Sequence, residues 1–421
     1  MPELTHLPRK AALRGAILNP EKTLFLDIET TGLSIFYDSI TLVGWSIEKK
    51  YGVFIKGGKD KALRKVLKEA KTIVTFNGTS FDIPMLKREF PGLSIPACHL
   101  DLRFLAKRAG MPGGQKRIER LLGMKRPKNV SGIEGRIAPL LWQKYCLGDV
   151  AALKRLISYN HADVEGMKVI LDEVAERILK ESAAWRFSEN RSKIDWQDIT
   201  LLYPFKWPLA TLRDLVTGKK IPRIVGIDLS GSKKRPSGWC LLEGEVAITK
   251  RLFSDAEIIK ETIASRPDII SIDSPLSIPE NGIMRQCERI LRKRGINVYP
   301  PMIASMQDLT LRGISLAGYF RGLSIPAIES YPGAAQDILG IPRKRADREL
   351  LARGLERFGV KGDFIKNPVS DDELDAITSA VVGAFFLSEK AEAIGNKKEG
   401  YLIIPDIKTL IKTLREKRRP A

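Results

Sequence analysis

The feature that most constrains the fold is an internal repeat. In the first half, apolar periodicity predicts three strands, a helix and a fourth strand, at 22–28, 39–48, 51–55, 59–70 and 71–76. The second half repeats this order at 223–232, 238–247, 248–254, 255–266 and 268–274. In each half the first strand runs into an acidic residue, Asp27 or Asp228. The repeat predicts an α/β fold with two similar domains, each a mixed β-sheet flanked by helices.

The length of 421 residues fits two domains, since one domain typically takes ~100–200 residues. We place the first domain at 1–180 and the second at 223–421, where a basic helix is expected near the C-terminus. Residues 181–222 interrupt the periodicity and hold three tryptophans without a Gly/Ser run. We therefore predict a packed connector there in place of a flexible linker.

Composition excludes several classes of protein. Hydrophobic residues make up 43% and charged residues 29%, which excludes wholesale disorder. The four cysteines are widely spaced without a CxxC pair, which argues against a disulfide scaffold or a zinc knuckle and fits a reducing cytosol. No apolar run reaches the ~18 residues of a membrane span, and the first residues contain no apolar signal-peptide core. We expect a cytoplasmic protein without a membrane partner.

The charge balance points to a polyanionic partner. Lys and Arg number 70 against 50 Asp and Glu, for a net charge of +20. Residues 1–180 carry 31 basic and 19 acidic groups, and residues 181–421 carry the remaining 39 and 31, so both parts are basic. A surface of the thermophile type would raise Lys and Glu together. Because the acidic residues do not keep pace here, we favour nucleic acid, DNA or RNA, as the partner.

Four acidic residues and a tyrosine in the first domain suggest metal chemistry. Asp27 and Glu29 are two residues apart on a predicted strand, so both side chains project from one face, where a cation would relieve their repulsion. Asp82 follows the fourth strand, and Tyr159 and Asp163 share a helical face. If Asp27 and Glu29 were considered by themselves, they could simply be surface acids at the end of a strand. The full set is able to hold two metals ~3.5–4 Å apart and to position a water for phosphodiester cleavage.

Three segments of the first domain resemble a known group of nucleases. F-L-D-I-E-T-T-G-L, F-N-G-T-S-F-D and Y-N-H-A-D-V are similar to the three exonuclease motifs of the DEDD superfamily, and the residues between them favour its YprB-like RNase H-like subtype. The resemblance covers residues 20–175. It implies a 3′–5′ exonuclease in which Tyr159 orients water and the metal ligands are Asp27, Glu29, Asp82 and Asp163.

The last acid of this set has an alternative. Asp149 lies four residues after a tyrosine, as Asp163 does. The resembling family carries its last acid after a Tyr-Asn pair, which favours Asp163. In the histidine variant of the superfamily the histidine precedes the last acid by five residues, a position held here by Ser158. We therefore expect His161 to be a neighbour of the site and not its catalytic base.

A second set of acids lies in the second domain. Asp228, Asp273 and Glu329 each end an apolar strand. Asp372 and Asp375 are three residues apart, on one face of a predicted helix. The small residues that follow would let this helix pack close to a sheet: Ala376, Ser379 and Ala380. A helix start stabilised by the helix dipole would explain Asp372 without a site, but not three acids at strand ends.

Residues 223–405 resemble a family of predicted RNase H-like nucleases that has no assigned function. The matching segments are G-I-D, I-D-S-P-L-S-I-P, R-Q-C-E, I-E-S-Y-P, D-D-E-L-D-A and G-Y-L-I-I-P. The resemblance implies a site whose metal ligands are Asp228, Asp273, Glu329 and Asp375, with Asp372 beside them. The phosphate loop of actin-like ATPases would need glycine at Ser230, and no Walker A motif occurs, so ATP binding is a minor alternative.

The sequence therefore predicts two RNase H-like domains and a nuclease that hydrolyses phosphodiester bonds with Mg²⁺ or Mn²⁺, the ions that suit all-oxygen ligands. The first domain is expected to be the exonuclease, and the second to be active or vestigial. Two alternatives stay open. One is a scaffold protein for DNA repair or RNA processing that binds nucleic acid without cutting it, and the other is a junction-type endonuclease in the second domain.

Overall fold

The computed structural model describes residues 9–130, 137–180, 186–197, 199, 210–215, 221–232, 235–344, 347–407, 409–410 and 412. The chain divides into two units, Met1–Ile35 with Ser39–Phe205 and Phe36–Asp38 with Lys206–Ala421. Trp185, Trp207, much of the predicted connector and most of the predicted basic helix near the C-terminus lie outside the described residues.

The first unit is built on a five-stranded sheet. Its strands, β1 to β5 in chain order, are Thr23–Thr30, Ile40–Ile47, Lys50–Ile55, Thr72–Thr75 and Cys98–Asp101. They lie in the order β3-β2-β1-β4-β5. Strands β1, β2 and β3 are antiparallel neighbours, β4 runs parallel to β1, and β5 runs parallel to β4. This is the mixed sheet that the sequence predicts.

The described α-helices of the first unit are α1 to α7: Arg9–Leu18, Lys61–Glu69, Asp82–Glu89, Leu102–Arg108, Gln115–Leu121, Ile137–Cys146 and Val150–Leu179. Helix α7 begins where the Asp149 carboxylate accepts a hydrogen bond from the Ala152 amide at 3.0 Å. It ends at Lys180, whose left-handed φ of 57° stops the helix. This long helix packs on β1 and β2 and carries the last exonuclease-like motif.

Alternation along β1 decides which side chains face α7. Leu24 and Leu26 pack with α2 and α3, while Phe25 packs with α7. Successive side chains of a strand point to opposite faces of the sheet, so Asp27 and Glu29 lie on the Phe25 side. The buried central strand therefore delivers both acids to α7.

The described start of the predicted connector packs against α7. The buried Lys168 ammonium pairs with Glu165 at 2.9 Å and donates to the Asn190 carbonyl oxygen at 3.0 Å. Asp172 accepts hydrogen bonds from two backbone amides, the first being that of Phe187. Because buried charges need partners, these contacts hold residues 186–193 on the helix.

The second unit contains a seven-stranded sheet. Its strands, β6 to β12, are Arg223–Asp228, Ser237–Glu243, Val246–Leu252, Ile269–Asp273, Ala327–Ser330, Ala391–Asn396 and Gly400–Pro405. They lie in the order β11-β12-β10-β9-β6-β7-β8. The stretch β10-β9-β6-β7-β8 has the order and the strand directions of β5-β4-β1-β2-β3 in the first unit. The predicted internal repeat is thus present in the two sheets.

In the part of the second unit that the structure describes, the α-helices are α8 to α13: Asp255–Ala264, Gln286–Lys293, Gln307–Gly322, Pro332–Leu339, Arg348–Phe358 and Asp371–Leu387. Helix α13 begins with a capping box in which Ser370 and Glu373 exchange hydrogen bonds. It lies directly on β6, because a Cβ at Gly226 would stand 2.0 Å from the Ala376 carbonyl oxygen. This is the close approach that the small residues of α13 predict, and it brings the start of α13 to the end of β6.

The described residues contain no helix that is long and apolar enough to cross a membrane. All four cysteines are free thiols. The described fold is therefore held by packing and hydrogen bonds and not by disulfides.

Candidate active site

Three acidic residues of the first unit converge between β1 and α7. Asp27 and Glu29 project from β1, and Asp163 projects from α7. One carboxylate oxygen of each residue lies within 4.8 Å of the others. We call these three residues the first acidic cluster. Residues from β1 and α7, which are far apart in the sequence, therefore meet at one point.

Asn160 holds Asp27 in place. Its carboxamide donates to Asp27 Oδ2 at 2.8 Å and to the Asp27 carbonyl oxygen at 3.2 Å, and it accepts from Tyr51 Oη at 2.9 Å. Gly44 of β2 stands opposite Asp27 and leaves room for this amide, since a Cβ there would lie 1.6 Å from Asn160 Oδ1. The orientation of Asp27 thus depends on an amide and a glycine.

Arg126 holds Asp163. Its Nη2 donates to Asp163 Oδ1 at 2.6 Å, and the same guanidinium makes hydrogen bonds of 2.6 and 2.7 Å to Glu119. Gln115 donates to the Asp163 carbonyl oxygen at 2.6 Å and to Glu119 at 2.9 Å. Helix α5 and the loop after it therefore orient Asp163 and place a fixed positive charge beside the cluster.

Burial and repulsion act together on these carboxylates. Burial raises the pKa of Asp27 and of Glu29 well above the ordinary range, and Asp163 raises both further. Burial also raises the pKa of Asp163, and Arg126 offsets part of the effect. Glu29 is 7% exposed, and its Oε1 has no hydrogen-bond partner among the described residues. A buried oxygen that lacks a donor, next to carboxylates that repel one another, fits a hard divalent cation.

Asp82 lies at the start of α3, beside the cluster but outside its closest group. Burial raises the pKa of Asp82 from 3.8 to about 7, although backbone hydrogen bonds, one of them from Ile28, lower it in part. Its charge in turn raises the pKa of Asp27 and Glu29. The structure thus brings three of the four predicted ligands into direct proximity and places the fourth next to them.

Tyr159 lies one turn before Asp163 on α7 and is buried. Lys116 Nζ donates a hydrogen bond to Tyr159 Oη at 2.5 Å. Burial raises the pKa of Tyr159, and Asp163 and Glu29 raise it further, so the hydroxyl stays protonated at neutral pH. A protonated phenol at this place is able to donate to a water or to a phosphate oxygen.

Asp149, the alternative to Asp163, and His161, the expected neighbour, lie at other places along the α7 segment. Asp149 caps the first turn of the helix. His161 Nε2 lies 3.1 Å from the Ser192 carbonyl oxygen, on the side of the connector. Asp163, and not Asp149, therefore joins Asp27 in the first acidic cluster.

A second acidic cluster lies in the second unit and consists of Asp228, Asp273 and Asp375. The first two end neighbouring parallel strands in register, and Asp375 comes from α13; their carboxylate oxygens lie within 4.8 Å of one another. Lys344 Nζ stands 2.7 Å from Asp375 Oδ2 and 3.5 Å from Asp228 Oδ2. Burial raises the pKa of Asp228 and of Asp273, and neighbouring carboxylates raise both further. Asp372 lies at the exposed rim, 3.6 Å from Lys344 and outside the closest group.

The structure does not bring Glu329 to the second acidic cluster. Glu329 pairs in register with Ile272 and not with Asp273, so its side chain emerges from the opposite face of the sheet. There the buried Arg285 guanidinium binds its two carboxylate oxygens at 2.5 and 2.8 Å. Glu329 is therefore half of an internal ion pair, and the geometry does not agree with the predicted shared site.

Acid patterns alone do not reveal the residues that orient the clusters. The role of Asn160 could have been predicted, because this residue stands three positions before Asp163 and so shares its helical face. Arg126 and Lys344 are single basic residues in basic stretches, and the sequence gives no sign that they fold back onto acids. Gln336 donates to Asp375 Oδ1 at 2.7 Å, and the sequence does not indicate this contact either.

The strand order of the first sheet and the position of the first acidic cluster are two features by which the fold can be classified. Residues 24–175 match a family model described as RNase_H superfamily. The N-terminal part of the chain therefore has an RNase H-like fold. The resemblance of the second unit to a nuclease family remains a prediction. No curated protein matches the sequence.

Solved nuclease structures are similar to the chain at low identity. Brucella melitensis NrnC with bound Mg²⁺ is 17% identical, with a TM-score of 0.29 over 40% of this chain and 79% of its own. The catalytic core of RRP6 from Trypanosoma brucei is 14% identical, with a TM-score of 0.27 over 44% and 50%. Escherichia coli RNase D, an exoribonuclease involved in structured RNA processing, is 18% identical, with a TM-score of 0.23 over 41% and 48%. The fold assignment rests on the family match.

Proposed function

We propose that this chain is a metal-dependent nuclease that hydrolyses phosphodiester bonds of nucleic acid at the first acidic cluster, as a 3′–5′ exonuclease. The observation that carries the proposal is the approach of Asp27, Glu29 and Asp163 to within 4.8 Å of one another on an RNase H-like sheet. The net charge of +20 suits a polyanionic substrate. The direction of cleavage follows from the resemblance of the three motifs.

The donor set of the first acidic cluster fits Mg²⁺ or Mn²⁺. Glu29 offers a buried oxygen without a donor among the described residues, and the neighbouring donors are carboxylate oxygens. When bound, such ions neutralise the phosphate and supply a nucleophile from water at neutral pH. The residues that would hold them are Asp27, Glu29, Asp82 and Asp163.

The chain's own polar groups would prepare the site for a phosphate. Asn160 fixes Asp27 and Arg126 fixes Asp163, so these carboxylates need little reorganisation when substrate enters. Tyr159 supplies a hydroxyl that orients water, as its place next to Asp163 suggests. The ammonium of Lys116, which contacts this hydroxyl, is placed to neutralise a phosphate oxygen.

Cleavage of end-labelled oligonucleotides tests the proposal. Single- and double-stranded DNA and RNA, labelled at either end, are incubated with Mg²⁺, Mn²⁺ or EDTA. A 3′–5′ exonuclease gives a ladder from the 5′-labelled strand with metal and none with EDTA. Asp163→Asn should abolish the ladder. Asp149→Asn is the matched control, because asparagine also caps a helix and activity should persist.

The same assay separates the two alternatives. Tight binding without cleavage in any metal would support the scaffold and would contradict the nuclease. Cleavage that survives Asp27→Asn but is lost in Asp228→Asn would assign the activity to the second unit, as the junction-type endonuclease requires.

A further inference from the structure

We propose that Lys344 is the counter-ion that a divalent cation must displace from the second acidic cluster, whose acids the resemblance to a nuclease family implies as metal ligands. The cluster consists of Asp228, Asp273 and Asp375. The inference concerns a different unit from the exonuclease site and stands apart from the activity proposed there.

Several carboxylates lie close to the Lys344 ammonium. Its Nζ lies 2.7 Å from Asp375 Oδ2, 3.5 Å from Asp228 Oδ2 and 3.6 Å from Asp372 Oδ1. Asp273 belongs to the same cluster, so four carboxylates surround one ammonium. When the four carboxylates are ionised, a single positive charge leaves this group with an excess of negative charge. A divalent cation relieves more of the repulsion than the lysine does.

A buried hydroxyl lies on the same face of the sheet as the second acidic cluster. Ser330 pairs in register with Asp273 across parallel strands, so both side chains project from the face that α13 covers. Ser330 is 2% exposed, and its Oγ has no hydrogen-bond partner among the described residues. Buried polar atoms of this kind normally bind a protein group, a water or an ion. The hydroxyl therefore points to a ligand at the cluster.

Lys344 blocks the oxygens that a metal would use. Gln336 donates a hydrogen bond to Asp375 Oδ1 at 2.7 Å, which leaves Oδ2 as the Asp375 oxygen that a metal would use. The Lys344 ammonium now binds this oxygen. Asp228 Oδ2, the other oxygen near the ammonium, has no hydrogen bond among the described residues. Withdrawal of Nζ would release both oxygens together. Lysine and metal therefore exclude each other.

Lys344 is also placed to leave. Its side chain is 29% exposed, whereas those of Asp228 and Asp375 are 13% and 8% exposed. The flexible four-carbon stem of a lysine lets the ammonium move into water without a change in the backbone. The acids would then stay in place while the counter-ion is exchanged.

Calorimetric titration with MnCl₂ tests the inference. The full chain carries Asp27→Asn and Glu29→Gln, which disable the first acidic cluster, and this background should still bind Mn²⁺. Adding Lys344→Met should lower the Kd by at least about tenfold, because the competing charge is gone. Adding Asp273→Asn to the background should abolish binding.

Two further variants serve as controls. Lys361→Met removes the same charge from an ion pair with Glu245 and should leave the Kd unchanged. Lys344→Arg keeps a cation and should bind Mn²⁺ no more tightly than the background, which covers the case in which Lys344→Met does not fold. The inference is overturned if the background and Lys344→Met both fail to bind Mn²⁺. It is equally overturned if Lys344→Met binds no more tightly than Lys361→Met, or if Lys344→Arg binds more tightly than the background.

Discussion

At the scale of single residues, each acidic cluster pairs its helix-borne acid with a basic side chain. Arg126 binds Asp163 at 2.6 Å, and Lys344 binds Asp375 at 2.7 Å. A buried carboxylate without a cation would protonate instead. The two basic residues therefore lower the pKa of these two acids and offset part of the increase that burial causes. They differ in fixation, because Glu119 also holds Arg126, whereas the Lys344 ammonium contacts only cluster and rim acids among the ion pairs of the described residues.

Replacement of Tyr159 by phenylalanine tests the role of its hydroxyl. We expect Tyr159→Phe to lower kcat by about 100-fold with little change in KM, because the hydroxyl is proposed to orient water and not to bind the nucleic acid. Single-turnover cleavage of an oligonucleotide with Mg²⁺ measures the effect. A rate within about twofold of the parent would mean that the ring only packs.

The raised pKa of Asp82 predicts a pH-dependent stability of the metal-free protein. Its pKa is about 7 in the folded chain against an ordinary 3.8, so the folded state holds more protons between these values. Stability is thus fully present below about pH 4 and is lost as the pH rises toward 7, by up to ~1.4 kcal/mol per pH unit.

Urea unfolding in EDTA between about pH 5 and about pH 7 measures this slope. Asp82→Asn should make it shallower, because the substituted amide does not titrate. Mg²⁺ should restore part of the lost stability at the upper end. A stability that rises over this range in EDTA would contradict the account of Asp82.

At the scale of elements, the contact between α7 and β2 decides whether the first acidic cluster assembles. Gly44 gives Asn160 the room to hold Asp27. We expect Gly44→Ala to destabilise the chain by about 1–3 kcal/mol through overpacking and to reduce nuclease activity, because the amide must move. Urea unfolding and the cleavage assay measure the two effects.

Gly15 supplies the matched control in the same unit. It lies inside α1, and a Cβ there would meet nothing within 4 Å. Gly15→Ala should therefore stabilise the chain by about 0.5–1 kcal/mol and leave activity unchanged. Equal effects of the two substitutions would mean that the fit around Asn160 does not matter.

Sequence reasoning succeeded for elements whose pattern is local. The apolar runs predicted β1 to β4, β6 and β9, and the small residues of α13 predicted its close packing on the sheet. The apolar runs also predicted β7 and β8, but the turn between these strands, at Gly244 and Glu245, lies inside the first of the two predicted runs. The position of Glu329 did not follow in the same way. A shift of one residue in register turns a side chain to the other face, and the pairing of β10 with β9 joins segments far apart in the chain. The ion pair of Glu329 with the buried Arg285 also joins segments far apart in the chain, so the sequence did not indicate it.

At the scale of the whole molecule, the excess of basic residues is shared by the two halves of the sequence, so phosphate contacts should dominate binding. We expect the affinity for a single-stranded oligonucleotide in EDTA to fall by at least about tenfold between ~50 and ~200 mM salt, because bound phosphates release counterions. Fluorescence anisotropy measures this dependence. An analogue with an uncharged backbone should bind weakly at every salt concentration, and an affinity that salt does not change would argue against a polyanionic substrate.

Crystals of the full chain soaked in Mn²⁺ test most directly whether the first unit is a metal enzyme. Anomalous difference density collected at the manganese edge should show a peak between β1 and α7, about 2–2.5 Å from carboxylate oxygens of Asp27, Glu29 and Asp163. Density confined to other parts of the molecule at saturating Mn²⁺, with none between β1 and α7, would contradict the proposed nuclease.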